Sequence, residues 1–146
     1  MTPDILRRKV LQLRKEKDLS LVVIDSLQMM RVPWLRNNRA AEVSEIVRSL
    51  KELAKEIRTP VIAISQLSRP AERSYRLSRP VLTDFRDSGA IEETADLAIL
   101  LHQSTQESDG VEVIVAKQKN GPEGSFQLRF NRAISRMEPL DTTPNQ

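Results

Sequence analysis

Leu21-Val22-Val23-Ile24-Asp25 sets four aliphatic side chains in a row and closes them with a carboxylate. An apolar run without alternation marks a strand covered on both faces, as in parallel sheets. The pattern returns at Val61-Ile62-Ala63-Ile64, which leads into Ser65-Gln66, and again at residues 97–101. Between the first two runs, Val43, Ile46, Val47, Leu50, Leu53, Ala54 and Ile57 repeat at helical spacing with Glu and Lys among them, and Thr59-Pro60 stops the repeat. Strand, helix and strand in that order predict a parallel pair joined by a crossover helix.

Upstream, Thr2-Pro3 supplies a hydroxyl cap and a proline for the first turn of a helix, whose apolar stripe is Ile5, Leu6, Val10 and Leu13. Residues 31–39 form a loop containing Pro33 and Asn37-Asn38. A second loop, rich in arginine, runs through Pro80. Ser88 then caps a short helix over residues 90–94. Past the third apolar run, short strands are predicted at 111–116, 125–130 and 133–137, with a turn at Asn120-Gly121-Pro122-Glu123-Gly124 between the first two. The expected fold is an α/β sandwich with a parallel core, which includes residues 97–101, and an antiparallel flank. Residues 1–140 are read as one piece and 141–146 as a loose polar tail.

Composition narrows the function. A chain of 146 residues with 39% hydrophobic and 29% charged side chains reads as soluble and globular. No apolar run approaches the roughly 20 residues of a membrane span, and the N-terminus does not read as a signal peptide. Without cysteine there is neither a disulfide nor a thiolate metal site, and the single histidine, His102, is read as a surface or strand-end residue. The net charge of +3 matters less than its placement. Arg31, Arg36 and Arg39 share one loop, and Arg69, Arg73, Arg76 and Arg79 share another, which suits a polyanion as well as ordinary solvated charge. With aromatics at 3%, contact with nucleic acid is expected at phosphate rather than base.

Four residues could carry chemistry. Asp25 ends a buried strand where open α/β sheets bind ligands, and a carboxylate there can hold Mg²⁺ through water; it is equally an ordinary turn residue. Gln66 matches it on the next strand, where an amide can sense a terminal phosphate or simply bond to backbone. Lys117 and Lys119, two apart, point to one face near a turn. They either project into a partner or guard an edge strand against aggregation.

These segments together resemble the C-terminal RecA-like motor domain of DnaB-family replicative helicases. Leu21-Val22-Val23-Ile24-Asp25-Ser26-Leu27-Gln28 resembles the family's Walker B strand, and Glu42-Val43-Ser44-Glu45-Ile46-Val47-Arg48-Ser49-Leu50-Lys51 the helix after it. Val61-Ile62-Ala63-Ile64-Ser65-Gln66-Leu67-Ser68-Arg69 resembles its sensor-glutamine strand. Arg86-Asp87-Ser88-Gly89-Ala90-Ile91-Glu92 resembles its single-stranded-DNA loop, and Ala116-Lys117-Gln118-Lys119-Asn120-Gly121-Pro122 its intersubunit finger. The likeness runs in order from about residue 3 to 138.

The resemblance implies a P-loop NTPase of RecA-like architecture, ATP and Mg²⁺ as cofactors, and single-stranded DNA and neighbouring subunits of a ring hexamer as partners. It implies a cytoplasmic place at the replication fork and no membrane partner. It assigns Asp25 to Mg²⁺, Gln66 to coupling the γ-phosphate to DNA, and Arg69, Arg86, Asp87 and Gly89 to DNA. Lys117 and Lys119 would reach a neighbour's ATP. Ser26 stands where the family commonly has an aromatic, and Lys119 where it has an arginine finger; lysine keeps the charge but lacks the planar fork.

The G-x-x-x-x-G-K-[ST] phosphate loop is not in this sequence, whose glycines are at 89, 110, 121 and 124. The family's catalytic glutamate and primase-binding domain likewise lie outside the matching segment. In this architecture the phosphate-loop strand sits between the strands at 61–64 and 97–101, so both are expected to have unpaired edges, and the chain alone is expected to be inactive. The alternative is a truncated, non-enzymatic module that docks on intact helicase subunits and regulates or inhibits them. A recombination or clock ATPase of the same architecture fits less well, because Leu27-Gln28 and Lys117-Gln118-Lys119-Asn120-Gly121-Pro122 are helicase features.

Overall fold

The structure is a computed structural model that describes residues 1–67, 79–85, 89–103 and 109–140. It forms two compact units, one of Met1–Ser68 with Thr83–Ala95, the other of Arg69–Leu82 with Asp96–Gln146.

In the first unit, α1 (Pro3–Glu16) starts where Thr2 Oγ1 accepts the Ile5 N–H, and Leu6 and Val10 are its buried residues. β1 (Val22–Asp25) and β2 (Val61–Ile64) pair in parallel, with Val23 beside Ile62 and Asp25 beside Ile64. The crossover between them is α2 (Arg39–Ile57), capped by Asn38 Oδ1 on the Ala41 N–H and ended by Arg58 in the left-handed region at φ 52°. Val43, Ile46, Leu50, Leu53 and Ile57 form the buried stripe of α2, as their spacing predicts. Each such side chain contributes about 1.5–3 kcal/mol when fully buried. The Thr59 hydroxyl donates to the Leu19 and Ile57 carbonyls, fastening the exit of α2 to the entrance of β1. Arg7 on α1 pairs with Glu56 on α2 at 2.6 Å, an exposed contact of small energetic weight. Short α3 (Gly89–Thr94) buries Ile91.

The second unit is an antiparallel sheet in the order β3 (Leu97–Gln103), β4 (Gly110–Gln118), β5 (Gly124–Asn131), β6 (Arg136–Pro139). Val111, Val113 and Ile114 of β4 are buried, as are Ala98 and Leu100 of β3.

Three expectations change. Residues 97–101, read as part of the parallel core, pair antiparallel with β4, because the next strand returns directly alongside them. The described parallel sheet therefore has two strands. The runs of β1 and β3 are covered on one face rather than two, and no residue of β2 is buried. Ile24 is buried, but Leu21, Val23, Ile62 and Ile64 are exposed, as are Leu97, Ile99 and Leu101 in β3. Finally, the last strand begins at Arg136, not 133, since residues 132–135 make the turn and Ser135 takes φ 50°. The Ser88 cap and the tail at 141–146 lie outside the described residues.

One buried charge organises the first unit. Glu42 is 2% exposed. Its Oε1 accepts the Val32 N–H at 2.7 Å, and its other oxygen pairs with Arg39. Burial alone would push this carboxyl up, but the Val32 N–H, the Arg39 guanidinium and the charge of Arg31 outweigh it and hold the group below its ordinary value. Ionised Glu42 therefore stabilises the fold fully above the unfolded carboxyl value of about 4.3, and that contribution is lost as pH falls through the lower folded value. Glu42→Gln is expected to lower stability at neutral pH by roughly 1.5–3 kcal/mol and to flatten the acid side of the stability profile. Urea titrations from pH 3 to 7 measure both effects.

Candidate functional site

Because β1 and β2 are parallel, their C-terminal ends open on the same side, where α/β sheets bind ligands. Asp25 is exposed at the end of β1, and the chain then turns through the buried Ser26 and a 3₁₀ turn at Leu27–Met29. The Asp25–Ser26 peptide is cis. On β2 the register places Ile64 beside Asp25, with Ser65 and Gln66 just beyond. The amide of Gln28 spans the gap, with Nε2 donating to Ser65 Oγ at 3.1 Å and Oε1 accepting the Gln66 N–H at 3.2 Å. It binds the two strand-end segments together, leaving the Gln66 side chain exposed.

Gln28 is the site residue that sequence reasoning passed over, using it only as part of a signature. Its signal is a lone amide amid Leu27, Met29 and Met30, three residues past the strand-end carboxylate. Among the described residues no group of three or more His, Cys, Asp or Glu gathers to hold a metal.

The basic residues divide. Arg79 is committed within its own unit, with Nε 3.0 and 3.1 Å from the two oxygens of Glu112 and Nη2 at 2.9 Å. That bond, with one from Ser125, holds the Glu112 carboxyl below its usual range. Arg79 thus departs from the expected cluster of free loop cations. Arg69, Arg73, Arg76, Arg86 and Asp87 lie outside the described residues. Gly89 opens α3, and a β-carbon added there would meet no atom within 4 Å, so the chain itself does not demand glycine. His102 is the next-to-last residue of β3, opposite Glu112, and half-buried.

Lys117 lies in β4, half-buried, whereas Lys119 has passed into the turn. Rather than projecting freely, Lys119 donates its N–H to the Asp96 carbonyl at 2.9 Å and sets Nζ 3.2 Å from the Asp96 carboxylate. The base of the turn is thereby tied to the start of β3.

The DnaB-like helicase C terminal domain model matches residues 1–139. The chain belongs to that family. The replicative DNA helicase DnaB of Haemophilus influenzae is 42% identical over 147 residues, covering 96% of this chain and 31% of that protein. DnaB of Pasteurella multocida is 44% identical over the same shares. A solved DnaB-like replicative helicase, described with its interactions with primase, superposes with a TM-score of 0.83 at 30% identity, over 97% of this chain and 35% of that one. A solved ATPase domain gives 0.84, also at 30% identity, over 97% of this chain and 52% of that one. The chain thus spans about a third of the curated relatives it matches. No described helix is long and apolar enough to cross a membrane.

The Gln28 bridge has a direct consequence. Gln28→Ala is expected to cost about 1 kcal/mol and to speed hydrogen exchange at the Gln66 amide while the amides of α2 keep their protection. Amide exchange followed by NMR separates the local effect from global unfolding.

Proposed function

We propose that this chain is part of a DnaB-type motor that couples ATP hydrolysis to movement along single-stranded DNA and to duplex unwinding. The observation that carries this is the Asp25 and Gln66 pair at one end of β1 and β2, with Gln28 joining the segments that bear them. Asp25 would contribute to Mg²⁺, which neutralises phosphate charge when bound with ATP. Gln66 leaves its side chain free to meet a terminal phosphate, while its backbone N–H is fastened to Gln28; a change at the phosphate would pass to the chain after β2. Arg69, Arg86, Asp87 and Gly89 would follow the DNA backbone. Lys117 and Lys119 would act on the nucleotide of a neighbouring subunit in a ring, Lys119 after leaving Asp96.

The phosphate-loop motif that cradles ATP is not among these 146 residues, so this chain by itself is expected neither to turn over ATP nor to hold it tightly. A steady-state ATPase assay is expected to show no turnover; turnover abolished by Asp25→Ala overturns this. DNA binding by the chain is expected to be weak and to fall as salt rises. Gly89→Ala should leave folding intact, since the β-carbon has room, yet weaken binding by roughly 2- to 10-fold if a backbone contact is lost. Fluorescence anisotropy with a labelled oligonucleotide at rising salt measures both.

A second reading is a non-enzymatic module that docks on intact helicase subunits. Added to an intact DnaB-type helicase, the chain is then expected to lower its ATPase rate, with Lys119→Arg relieving part of the inhibition because arginine restores the fork. An unchanged rate despite association in a pull-down overturns the finger role; the edge-guard reading of these lysines does not replace it, because β4 lies between β3 and β5 and Lys119 is in the turn.

A further inference from the structure

Trp34 is the one tryptophan of the chain, and it is 70% exposed. Its loop is firmly fastened. Val32 is fully buried and its N–H is held by Glu42. Pro33 fixes the backbone immediately before the indole, and the 3₁₀ turn Pro33–Leu35 closes with Leu35 N–H on the Val32 carbonyl at 2.9 Å. Asn38 N–H then bonds to the Leu35 carbonyl at 2.8 Å and its side chain caps α2. On the other flank, the Arg31 guanidinium donates to the Gln28 and Met30 carbonyls at 2.6 and 2.8 Å. The loop that presents Trp34 is thus ordered before any ligand arrives, which lowers the entropic cost of binding.

The charge around it has one sign. Between Asp25 and Glu42 the sequence carries Arg31, Arg36 and Arg39 and no carboxylate. Glu42 is buried and matched chiefly by Arg39; Arg31, whose guanidinium also donates to two backbone carbonyls, and Arg36 are exposed cations. A flat, amphipathic ring with exposed arginines three residues before it and two after suits a ligand with flat faces and a charged backbone, which is single-stranded nucleic acid. A protein hot spot is also enriched in Trp and Arg, and the titration below separates it from the nucleic-acid reading.

We propose that Trp34 stacks on an unpaired DNA base while Arg31 and Arg36 take the adjoining phosphates. This rests on the single-stranded-DNA reading above and adds base contact to what composition reads as phosphate contact alone.

As the only tryptophan, Trp34 reports on itself. The intact chain is titrated with a fluorescein-labelled thymidine oligonucleotide and with an abasic oligonucleotide of equal length, following anisotropy and tryptophan emission separately. The expected result is quenched emission, with the base-bearing strand binding about 5- to 100-fold tighter than the abasic one. Trp34→Ala should bring the two strands to equal affinity, and Trp34→Phe should restore part of the difference. If anisotropy shows binding while Trp34 emission is unchanged and Trp34→Ala binds as well as the parent, stacking is overturned and the DNA reading stands. If neither strand alters the anisotropy, both are overturned. Emission that responds to an intact helicase but not to either oligonucleotide also overturns the proposal, in favour of a protein contact.

Discussion

Taking a carboxylate out of water at the first turn of α2 obliges the preceding chain to come to it. Glu42 cannot remain ionised there without donors, and the Val32 N–H and the Arg39 guanidinium are what the fold supplies. Meeting that demand draws Val32 and Met30 into the core and turns Pro33 to Leu35 outward. The segment from β1 to α2 is therefore a strap pinned at both ends, by Gln28 near the strand and by Glu42 near the helix. The strand-end residues Asp25 and Gln66 owe their shared location to the parallel pairing and their local rigidity to this strap.

Much of this was legible in the order of residues. Thr2-Pro3 and Thr59-Pro60 state a helix start and a helix stop through short-range chemistry, and both occur where read. The stripe from Val43 to Ile57 is long and strongly periodic, so one face could only be core. Asp25 was legible as a strand end, but the expected match of Gln66 to it was not: the register sets Ile64 opposite Asp25, with Gln66 two residues beyond. Burial on both faces of the aliphatic runs was not, since apolar composition states what a strand can bury and a covering layer decides what it does bury. Residues 97–101 look the same whether their neighbour runs parallel or antiparallel.

The residues missed share one trait: their partners are distant in sequence or their meaning depends on being left uncovered. Gln28 reaches residues 65 and 66, and nothing local announces that reach. Glu42 looks like any solvated helix carboxylate until the loop folds over it. Arg79 and Lys119 looked available for a polyanion or a neighbour, yet each has an acidic partner within its own unit, Glu112 and Asp96. A count of aromatics likewise hides a single indole held out in solvent.

The uncovered faces of the strands have a practical side. Leu21, Val23, Ile62 and Ile64 lie along one surface of the parallel pair, and residues 61–64 contain neither charge nor proline to deter another strand. Unimolecular folding proceeds at a rate independent of concentration, whereas sticking of such surfaces scales with collisions between molecules. Dilution and cool storage therefore favour the monomer over precipitate, because apolar attraction weakens on cooling. For this chain, handling at the bench is set less by the global fold than by four aliphatic side chains left about half exposed.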